Sequence, residues 1–557
     1  MKNAIVFVLL VLLFCSQIIG EGKIYPYRWV YVSNSLQNDE QLNIVKKIIE
    51  RASSHGLNGM VFASGLDMLD LKKDDYFKYL NEVKIICDQN KIEIIPIIFS
   101  VGYGGAILSH DKNLAEGILV KDALFVVKDN EAIFVSDSPS KIINGGFEEY
   151  KGDKVEGYRL QEEPGIVSLI DNKEFHEGKV SLRFERFGSR NPYGHGRIMQ
   201  EVDVKPNRCY RVSCWVKTDG LFPAESFRIQ ILTKNGKTLA PWNPKIKSTS
   251  NWTKITLGFN SLNNETIRIY AGVWGGKWGR FWLDDLRIEE VGLVNVLRRP
   301  GTPVVVRSEK DNTIYEEEKD YGFISDAKLN FRFDHDVSGI KILPGSRISN
   351  GERLRVSYYH GMAINNGQVT ICMSEPAVYE IWEKEAELIH KYLSPNKYVL
   401  SMDEIRTGGT CKACKERKMS MAEILGDCIT KQFNIIRKVN PKAEIFIWSD
   451  MLDPNHNAHP NYYLVDGDFS GSWNYIPKEL NIICWYYDKR NESLRHFSNL
   501  GFKTVAAAYY DGDDLENPKG WLEALDKTKG ACGIMYTTWF EKYSLLEDFG
   551  DLVSKRE

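Results

Sequence analysis

Two adjacent carboxylates stand at the end of a short apolar run. Residues 398–402 lead directly into Asp403 and Glu404, and Gly408 and Gly409 follow. Neighbouring side chains of a strand point to opposite faces, but both can turn toward one cleft where the strand ends. At the carboxyl end of a parallel barrel strand, such a pair would face an active site. A solvated Asp-Glu pair that opens an ordinary loop is the alternative interpretation.

Four later apolar runs end in aromatic residues, and acids stand two residues after three of them. The aromatic residues are Trp448, Trp485, Tyr509 and Trp539, and the acids are Asp450, Asp511 and Glu541. Aromatic rings stack on apolar faces of ligands, and a few convergent polar groups then fix the orientation of the ligand. Around an Asp-Glu pair, this pattern predicts a pocket that holds a sugar ring and binds its hydroxyls.

Alternating apolar runs and helical periodicity predict the elements that position these residues. Strands are predicted at 27–32, 57–62, 92–99, 398–402, 443–448, 480–485, 503–508 and 533–539, and helices at 39–54, 75–90, 376–392 and 419–439. Eight strands that alternate with helices predict an α/β fold, a (β/α)8 TIM barrel. The run at 354–359 is not counted among the eight.

The alternation stops after the third predicted strand. Between residues 122 and 350 helical periodicity almost vanishes, and short alternating strands with Gly, Asn and Asp turns replace it. A jelly-roll β-sandwich is predicted at about 140–292. The predicted organisation is a first barrel part at 21–121, a β-rich insertion at 122–350, and a second barrel part with the catalytic residues at 351–557.

The predicted sandwich is bracketed by residues 144–148 (Asn-Gly-Gly-Phe-Glu) and 282–285 (Trp-Leu-Asp-Asp). These motifs resemble those of the galactose-binding-like jelly rolls, which include many carbohydrate-binding modules. The resemblance makes Glu148 and Asp285 candidate ligands of a structural calcium, which prefers carboxylate and carbonyl oxygens. Turn residues that cap strand ends are the alternative. Trp242, Trp274 and Trp278 would form either a sugar platform or the sandwich core.

Length, charge and the N-terminus narrow the class of protein. A chain of 557 residues is too long for one core, and its net charge of −3 gives no basic surface for nucleic acid. Residues 1–20 have the basic start and short apolar centre of a signal peptide, which predicts a secreted protein, periplasmic or extracellular. Lipoprotein anchoring at Cys15 is the less favoured alternative because Phe14 suits that site poorly. No other stretch is predicted to span a membrane.

The ten cysteines are scattered rather than arranged as a dense disulfide framework. Cys411 and Cys414 form a CxxC motif that begins seven residues after Glu404, and such a motif can supply half of a zinc site. Cys372 and Cys428 could supply two further thiolates. A metal site, a disulfide and inert thiols all stay open for this motif.

The order of the strand-end motifs resembles glycoside hydrolase family 20, the β-N-acetylhexosaminidases. The fourth strand of that family ends in Gly-Asp-Glu, where residues 402–404 are Met-Asp-Glu, and its later strands end in Trp, Tyr-x-Asp and Trp-x-Glu. The resemblance covers about the C-terminal third of the chain and, more faintly, its first hundred residues. The Pro-Glu and His of the family's third strand have no equivalent near Pro96.

The resemblance implies retaining, substrate-assisted hydrolysis of a carbohydrate without a catalytic cofactor. Asp403 would orient the 2-acetamido group of the sugar. Glu404, with a pKa raised by its neighbour, would protonate the leaving oxygen and then deprotonate water. The implied substrate-binding residues are Arg28, Trp448, Trp485, Tyr509, Asp511, Trp539 and Glu541. Among them, Tyr509 would donate a hydrogen bond to the acetamide carbonyl.

Two alternatives stay open. The first is another barrel glycosidase that acts on sugars without an acetamido group and uses Glu541 as the nucleophile opposite Glu404. The second is a secreted glycan-binding protein whose barrel has no catalytic activity.

Overall fold

The computed structural model describes residues 23–556 except 191, 243 and 366, together with the side chains of all of these except 241 and 242. The predicted signal peptide at 1–20, the alternative anchor Cys15 and the side chain of Trp242 lie outside this part of the chain.

Eight parallel strands close into a barrel. They are β1 (Tyr27–Ser33), β2 (Gly59–Ala63), β3 (Glu93–Ile98), β4 (Lys397–Leu400), β5 (Glu444–Trp448), β6 (Asn481–Cys484), β7 (Lys503–Tyr509) and β8 (Ala531–Thr537). The sheet closes where β8 pairs with β1, with Gly533 opposite Tyr27. The predicted α/β class and the eight parallel strands are confirmed.

Alternate residues of the strands fill the barrel. The buried interior layer contains Trp29, Val61, Ile95, Val399, Phe446, Ile483, Val505 and Met535, one from each strand. Because these side chains pack against one another, the barrel has a solid apolar core rather than a pore. Polar chemistry is therefore confined to the ends of the strands.

Within the described residues, seven α-helices of at least nine residues follow or precede the strands. They are α1 (Asp39–Ser54), α2 (Asp74–Asn90), α3 (Pro376–Leu393), α4 (Met421–Val439), α5 (Arg490–Asn499), α6 (Glu516–Asp526) and α7 (Leu546–Ser554). Helix α4 begins two residues later than predicted, because Ser420 and Glu423 form a capping box at its start. Between β5 and β6 the chain runs through the 3-10 turns Asp450–Leu452 and Ser472–Asn474.

Residues 118–360, which lie between β3 and β4 in the sequence, form three larger sheets and one two-stranded sheet of Tyr150–Lys151 and Lys154–Val155. One antiparallel sheet has the strand order Ser250–Asn260, Cys209–Phe222, Trp278–Val291, Ser181–Phe184 and Ser168–Asp171. A second has the order Thr238–Trp242, Phe227–Thr233, Thr266–Val273, Gly196–Asp203 and Leu160–Gln161. The third has the order Ile314–Tyr315, Val305–Ser308, Arg353–His360, Ile118–Lys128, Glu131–Phe134 and Ile340–Lys341. The run at 354–359 thus lies outside the barrel, as predicted.

The two five-stranded sheets and the six-stranded sheet share one hydrophobic core. Val212 and Ile229 of the five-stranded sheets belong to the same buried cluster as Phe125 and Val356 of the six-stranded sheet. Buried polar contacts also join the sheets, such as the one between Asn260 Nδ2 and His360 Nε2 at 3.1 Å. These sheets therefore pack as one unit.

Candidate active site

The Asp-Glu pair lies where the chain leaves β4 at the carboxyl end of the barrel. The backbone at Glu404 is left-handed, with a φ of +50°, and each residue of the pair keeps some exposed surface. The loop after β3 packs tightly against this turn: a Cβ on Gly102 would lie 2.1 Å from the carbonyl oxygen of Asp403. Only glycine fits there, so the loop after β3 helps to fix the position of the pair.

Glu404 is held by side chains from three segments. Its Oε2 accepts a hydrogen bond from the hydroxyl of Tyr103, and its Oε1 lies 2.7 Å from the guanidinium of Arg406. Gln368 donates from Nε2 to the backbone carbonyl of Glu404 at 2.7 Å, and its Oε1 accepts from Arg406 Nη1. The carboxylate is therefore oriented in a polar cluster beside the barrel mouth.

A third carboxyl group, Asp450, lies directly behind the pair. It is fully buried in the first turn after β5. Its Oδ2 accepts from the backbone N–H of Glu404 at 2.9 Å and from Asn457 Nδ2 at 2.8 Å, and its Oδ1 accepts from Trp485 Nε1 at 3.3 Å. Its position two residues after Trp448 was the sequence signal, although Asp450 was not among the predicted site residues.

The pKa values of Asp403 and Asp450 are raised. Burial and, next, the carboxylate of Asp450 raise the pKa of Asp403 to about 7, against the hydrogen bond from Ser401. Burial and the charge of Glu404 raise the pKa of Asp450 to about 6. The raised pKa values therefore belong to Asp403 and Asp450.

Aromatic rings form a wall around the carboxylates. Ring centroids lie 6.0 Å apart for Trp448 and Trp539, and 6.4 Å apart for Trp485 and Trp539. Trp485 is nearly parallel to Tyr510, and Tyr31 of β1 lies 5.4 Å from Trp539. Trp539 is 40% and Tyr510 47% exposed, so both offer free ring surface to a ligand. The predicted Trp448, Trp485 and Trp539 are thus brought together.

Tyr509 does not lie in this wall, in contrast to the sequence prediction. It is 1% exposed and its ring stacks on Tyr536 at 4.1 Å, in the core outside the barrel interior. The backbone is left-handed at residues 509–511, which ends the alternation of side chains and turns Tyr510 toward the carboxylates. Tyr510 therefore takes the position that was predicted for Tyr509.

Arg28 lies at the opposite end of the barrel, so its predicted role in the site is wrong. It is the second residue of β1, and its Nη1 and Nε donate to the carbonyls of Tyr25 and Gly56 at 2.6 and 2.9 Å. Ser33, at the other end of the strand, lies five residue positions further on, which is roughly 16 Å. The arginine of the site is Arg406, two residues after Glu404.

The two remaining predicted acids have different environments. Asp511 accepts hydrogen bonds from the backbone N–H groups of Trp539 and Phe540 at 2.8 and 3.3 Å, so it holds the loop after β8. Glu541 is exposed in that loop. Asp511 consequently positions Trp539 rather than presenting a free carboxylate.

A polar groove of about 590 Å³ adjoins the carboxylates. Its lining includes Tyr103, Asn365, Gln368 and Arg406. Because Tyr103 and Arg406 also contact Glu404, a ligand in this groove would lie next to that carboxylate.

In the sandwich, the two candidate calcium ligands have protein partners. Glu148 Oε1 accepts from the backbone N–H of Lys179 at 2.7 Å, and Asp285 lies 2.5 Å from Arg287 Nε. These contacts suit residues that cap strand ends, and a calcium site there stays a prediction. Trp278 is 60% exposed and Trp274 is half-buried, so Trp278 in particular does not fill the sandwich core.

None of the helices in the part of the chain that the structure describes is both long and apolar enough to cross a membrane.

The comparisons with known proteins concern mainly the sandwich. A family described as "Carbohydrate binding domain" matches residues 140–275. No curated protein matches this chain. The residues 140–275 are therefore similar in sequence to carbohydrate-binding domains.

Several solved structures are similar to parts of the chain. TmCBM61, solved in complex with beta-1,4-galactotriose, is 16% identical, with 28% of this chain and 99% of that chain covered and a TM-score of 0.22. A xylan-binding domain from Paenibacillus barcinonensis is also 16% identical, with 29% and 98% covered and a TM-score of 0.20. A rhamnosidase from Novosphingobium sp. PP1Y is 10% identical, with 95% and 58% covered and a TM-score of 0.35. Likenesses this weak carry no conclusion about activity.

Proposed function

We propose that this protein is a glycoside hydrolase whose active site is formed by Asp403, Glu404 and Asp450. The observation that carries the proposal is the convergence of these three carboxyl groups at the barrel mouth, where the backbone N–H of Glu404 donates to Asp450 at 2.9 Å. Glycoside hydrolysis commonly uses neighbouring carboxyl groups with separate tasks. The rings of Trp485 and Trp539 supply a stacking surface for the sugar.

Within this class, we propose a retaining β-N-acetylhexosaminidase. The adjacent positions of Asp403 and Glu404 support it, because the two acids then have separate tasks. The acetamido oxygen of the substrate attacks the anomeric carbon and forms an oxazolinium ion, and ionised Asp403 stabilises its positive charge. Glu404 gives its proton to the leaving oxygen and later takes one from the attacking water. Tyr510 takes the acetamide-binding role that was predicted for Tyr509.

The contacts of Glu404 indicate where the leaving group lies. Tyr103 and Arg406 engage the carboxylate and also line the groove. A leaving group in the groove would replace Tyr103 at Oε2 and place its glycosidic oxygen there. Hydrogen bonds of a catalytic acid commonly rearrange in this way when substrate binds.

Aryl glycosides with and without the 2-acetamido group test this proposal. We expect the mature protein to release the aryl group from an N-acetyl-β-glucosaminide or galactosaminide, and Asp403→Asn to lose most of this activity. Activity on aryl glucosides or galactosides alone would favour the glycosidase that uses Glu541 as nucleophile. Glycan binding with no hydrolysis of either class would contradict a glycoside hydrolase.

We also propose that the sandwich binds glycan and that the protein is secreted. The match of residues 140–275 to carbohydrate-binding domains supports both. Phe222 and Trp278 stack at a centroid distance of 4.4 Å and are 47% and 60% exposed. This pair forms a flat apolar surface on which a sugar ring can lie.

A further inference from the structure

Three cysteines and one glutamate from separate segments converge beside the loop that follows β4. Cys411 and Cys414 flank the start of the short helix Lys412–Glu416, Cys372 precedes α3, and Glu116 precedes the strand Ile118–Lys128. All four side chains are buried. The Sγ atom of Cys372 lies 3.5 Å from that of Cys411 and 3.7 Å from that of Cys414. Glu116 Oε2 lies 3.7 Å from Cys411 Sγ and 3.6 Å from Cys414 Sγ.

These separations match the edges of a tetrahedron around zinc. Zinc binds thiolate sulfur at about 2.3 Å and carboxylate oxygen at about 2.0–2.2 Å. At tetrahedral angles, two such sulfurs lie about 3.8 Å apart, and a sulfur and an oxygen lie about 3.5–3.7 Å apart. A disulfide would require a sulfur separation of about 2.05 Å and would not explain the carboxylate.

We propose that Glu116, Cys372, Cys411 and Cys414 bind one zinc ion. Four protein ligands fill the coordination sphere, so the site is structural rather than catalytic. Cys428, the other cysteine that the sequence suggested, is not part of the cluster and lies within α4. The carboxylate of Glu116 takes the fourth position.

Neighbouring groups orient the glutamate. Its Oε1 accepts from the backbone N–H groups of Thr410 and Cys411 at 2.8 and 2.9 Å, which turns Oε2 toward the thiols. Such contacts to the non-coordinating atom fix the direction of a metal ligand.

A buried arginine, whose Nη1 also pairs with Glu375, offsets part of the charge of the cluster. Three thiolates, one carboxylate and a zinc ion carry a net charge of −2, which is costly in a buried site. Arg299 interacts electrostatically with Cys372, Cys411 and Glu116. It is held there by hydrogen bonds from its Nε to the carbonyl of Asn113 at 2.7 Å and from its Nη2 to that of Ala115 at 2.8 Å. The surroundings thus suit an anionic metal site.

The site connects distant parts of the chain at a point near the carboxylates. Glu116 lies on the chain segment that enters the six-stranded sheet, and Cys372 on the segment that returns to α3. Cys411 stands five residues after Arg406, which contacts Glu404. A bound zinc ion would therefore hold the loop that carries Arg406 against both segments.

The test measures metal binding and not sugar hydrolysis. A negative result would therefore contradict the zinc site without contradicting the proposed hydrolase activity. The full-length mature protein is purified from zinc-supplemented culture and analysed by elemental analysis and X-ray absorption. We expect one zinc ion per chain, with about three sulfurs at about 2.3 Å and one oxygen. Cys411→Ala should lose the zinc, and Cys428→Ala, which removes an equally buried cysteine from α4, should keep it.

If Cys411→Ala does not fold, metal removal and replacement in the wild-type protein still test the proposal. We expect a chelator to remove the zinc and lower the Tm, and Co²⁺ to restore the Tm with a thiolate-to-cobalt charge-transfer band. Wild-type protein that binds neither ion would overturn the proposal. So would a disulfide within the three cysteines, detected by mass after alkylation, or zinc retained in folded Cys411→Ala.

Discussion

Asp403 carries an unfavourable charge in the folded protein above neutral pH. Burial and the neighbouring Asp450 raise its pKa to about 7, whereas an aspartate in an unfolded chain titrates at about 3.9. The folded protein therefore binds this proton more tightly than the unfolded chain. Its contribution to stability falls as the pH rises from about 4 through about 7 and stays low above that range.

Asp403→Asn should consequently stabilise the protein at high pH. We expect its free energy of unfolding at pH 8 to exceed that of the wild type by up to about 4 kcal/mol, and the difference to vanish near pH 4. Urea unfolding at both pH values measures this. The exposed Glu541→Gln is the control and should follow the wild type. A variant less stable than the wild type at pH 8 would contradict the raised pKa of Asp403.

Asp450→Asn should change the pH profile of hydrolysis. The charge of Asp450 contributes to the raised pKa of Asp403, so its removal lowers that pKa. If ionised Asp403 is the active form, the acidic limb of kcat/KM should move to lower pH by about half to one unit. Initial rates on an aryl N-acetylglucosaminide between pH 4 and 9 measure the limb. An acidic limb that stays in place or moves to higher pH would show that the ionisation of Asp403 does not control catalysis.

At the scale of elements, the strands were predictable but the directions of their last side chains were not. Apolar runs bounded by turn residues gave the eight barrel strands to within a few residues, because parallel strands are buried on both faces. Strict alternation would have turned Tyr509 inward, and the left-handed backbone at residues 509–511 prevents it. The position of Arg28, by contrast, could have been read from the sequence. It stands at the start of β1, and the start of a barrel strand lies at the end of the barrel away from the carboxylates.

Tyr510 and Tyr509 form a matched pair for testing the wall of the pocket. We expect Tyr510→Ala to lower kcat/KM about tenfold, since a stacking contact is worth about 0.5–1.5 kcal/mol. Tyr509→Phe keeps the ring that stacks on Tyr536 and should leave kcat/KM within about twofold. Steady-state kinetics of both variants measure this. Loss of activity in Tyr509→Phe but not in Tyr510→Ala would indicate that Tyr509, rather than Tyr510, binds the acetamido group.

At the scale of the whole molecule, the sequence predicted the β-rich segment and a sandwich within it, but not how that segment is tied to its neighbours. Short alternating strands indicate sheets, whereas the core shared by the five-stranded sheets and the six-stranded sheet depends on contacts between distant strands. The sequence did not reveal Glu116 as a member of the cysteine cluster, because that also depends on contacts between distant parts of the chain. A carboxylate has no spacing signature, while the cysteines near it in space were visible in the sequence.

The shared core means that glycan binding is best tested on the full-length protein. We expect Trp278→Ala to weaken binding to a retained glycan at least about fivefold, because it removes half of the exposed stack with Phe222. Affinity electrophoresis in soluble polysaccharides measures this, with Glu404→Gln as the background so that no glycan is consumed. Trp252→Ala, which alters a partly exposed ring elsewhere on the sandwich, is the control. Equal retardation of Trp278→Ala and its parent would place the glycan surface elsewhere.

The most direct measurement for the molecule as a whole is hydrolysis of an aryl N-acetyl-β-glucosaminide by the wild type, Glu404→Gln and Glu541→Gln. We predict turnover by the wild type, a kcat lowered by about 10²–10⁴ in Glu404→Gln because the proton donor is lost, and a much smaller loss in Glu541→Gln. Circular dichroism and Tm confirm that each variant is folded. Full activity in folded Glu404→Gln would contradict the central claim that Glu404 is the proton carrier of a glycoside hydrolase.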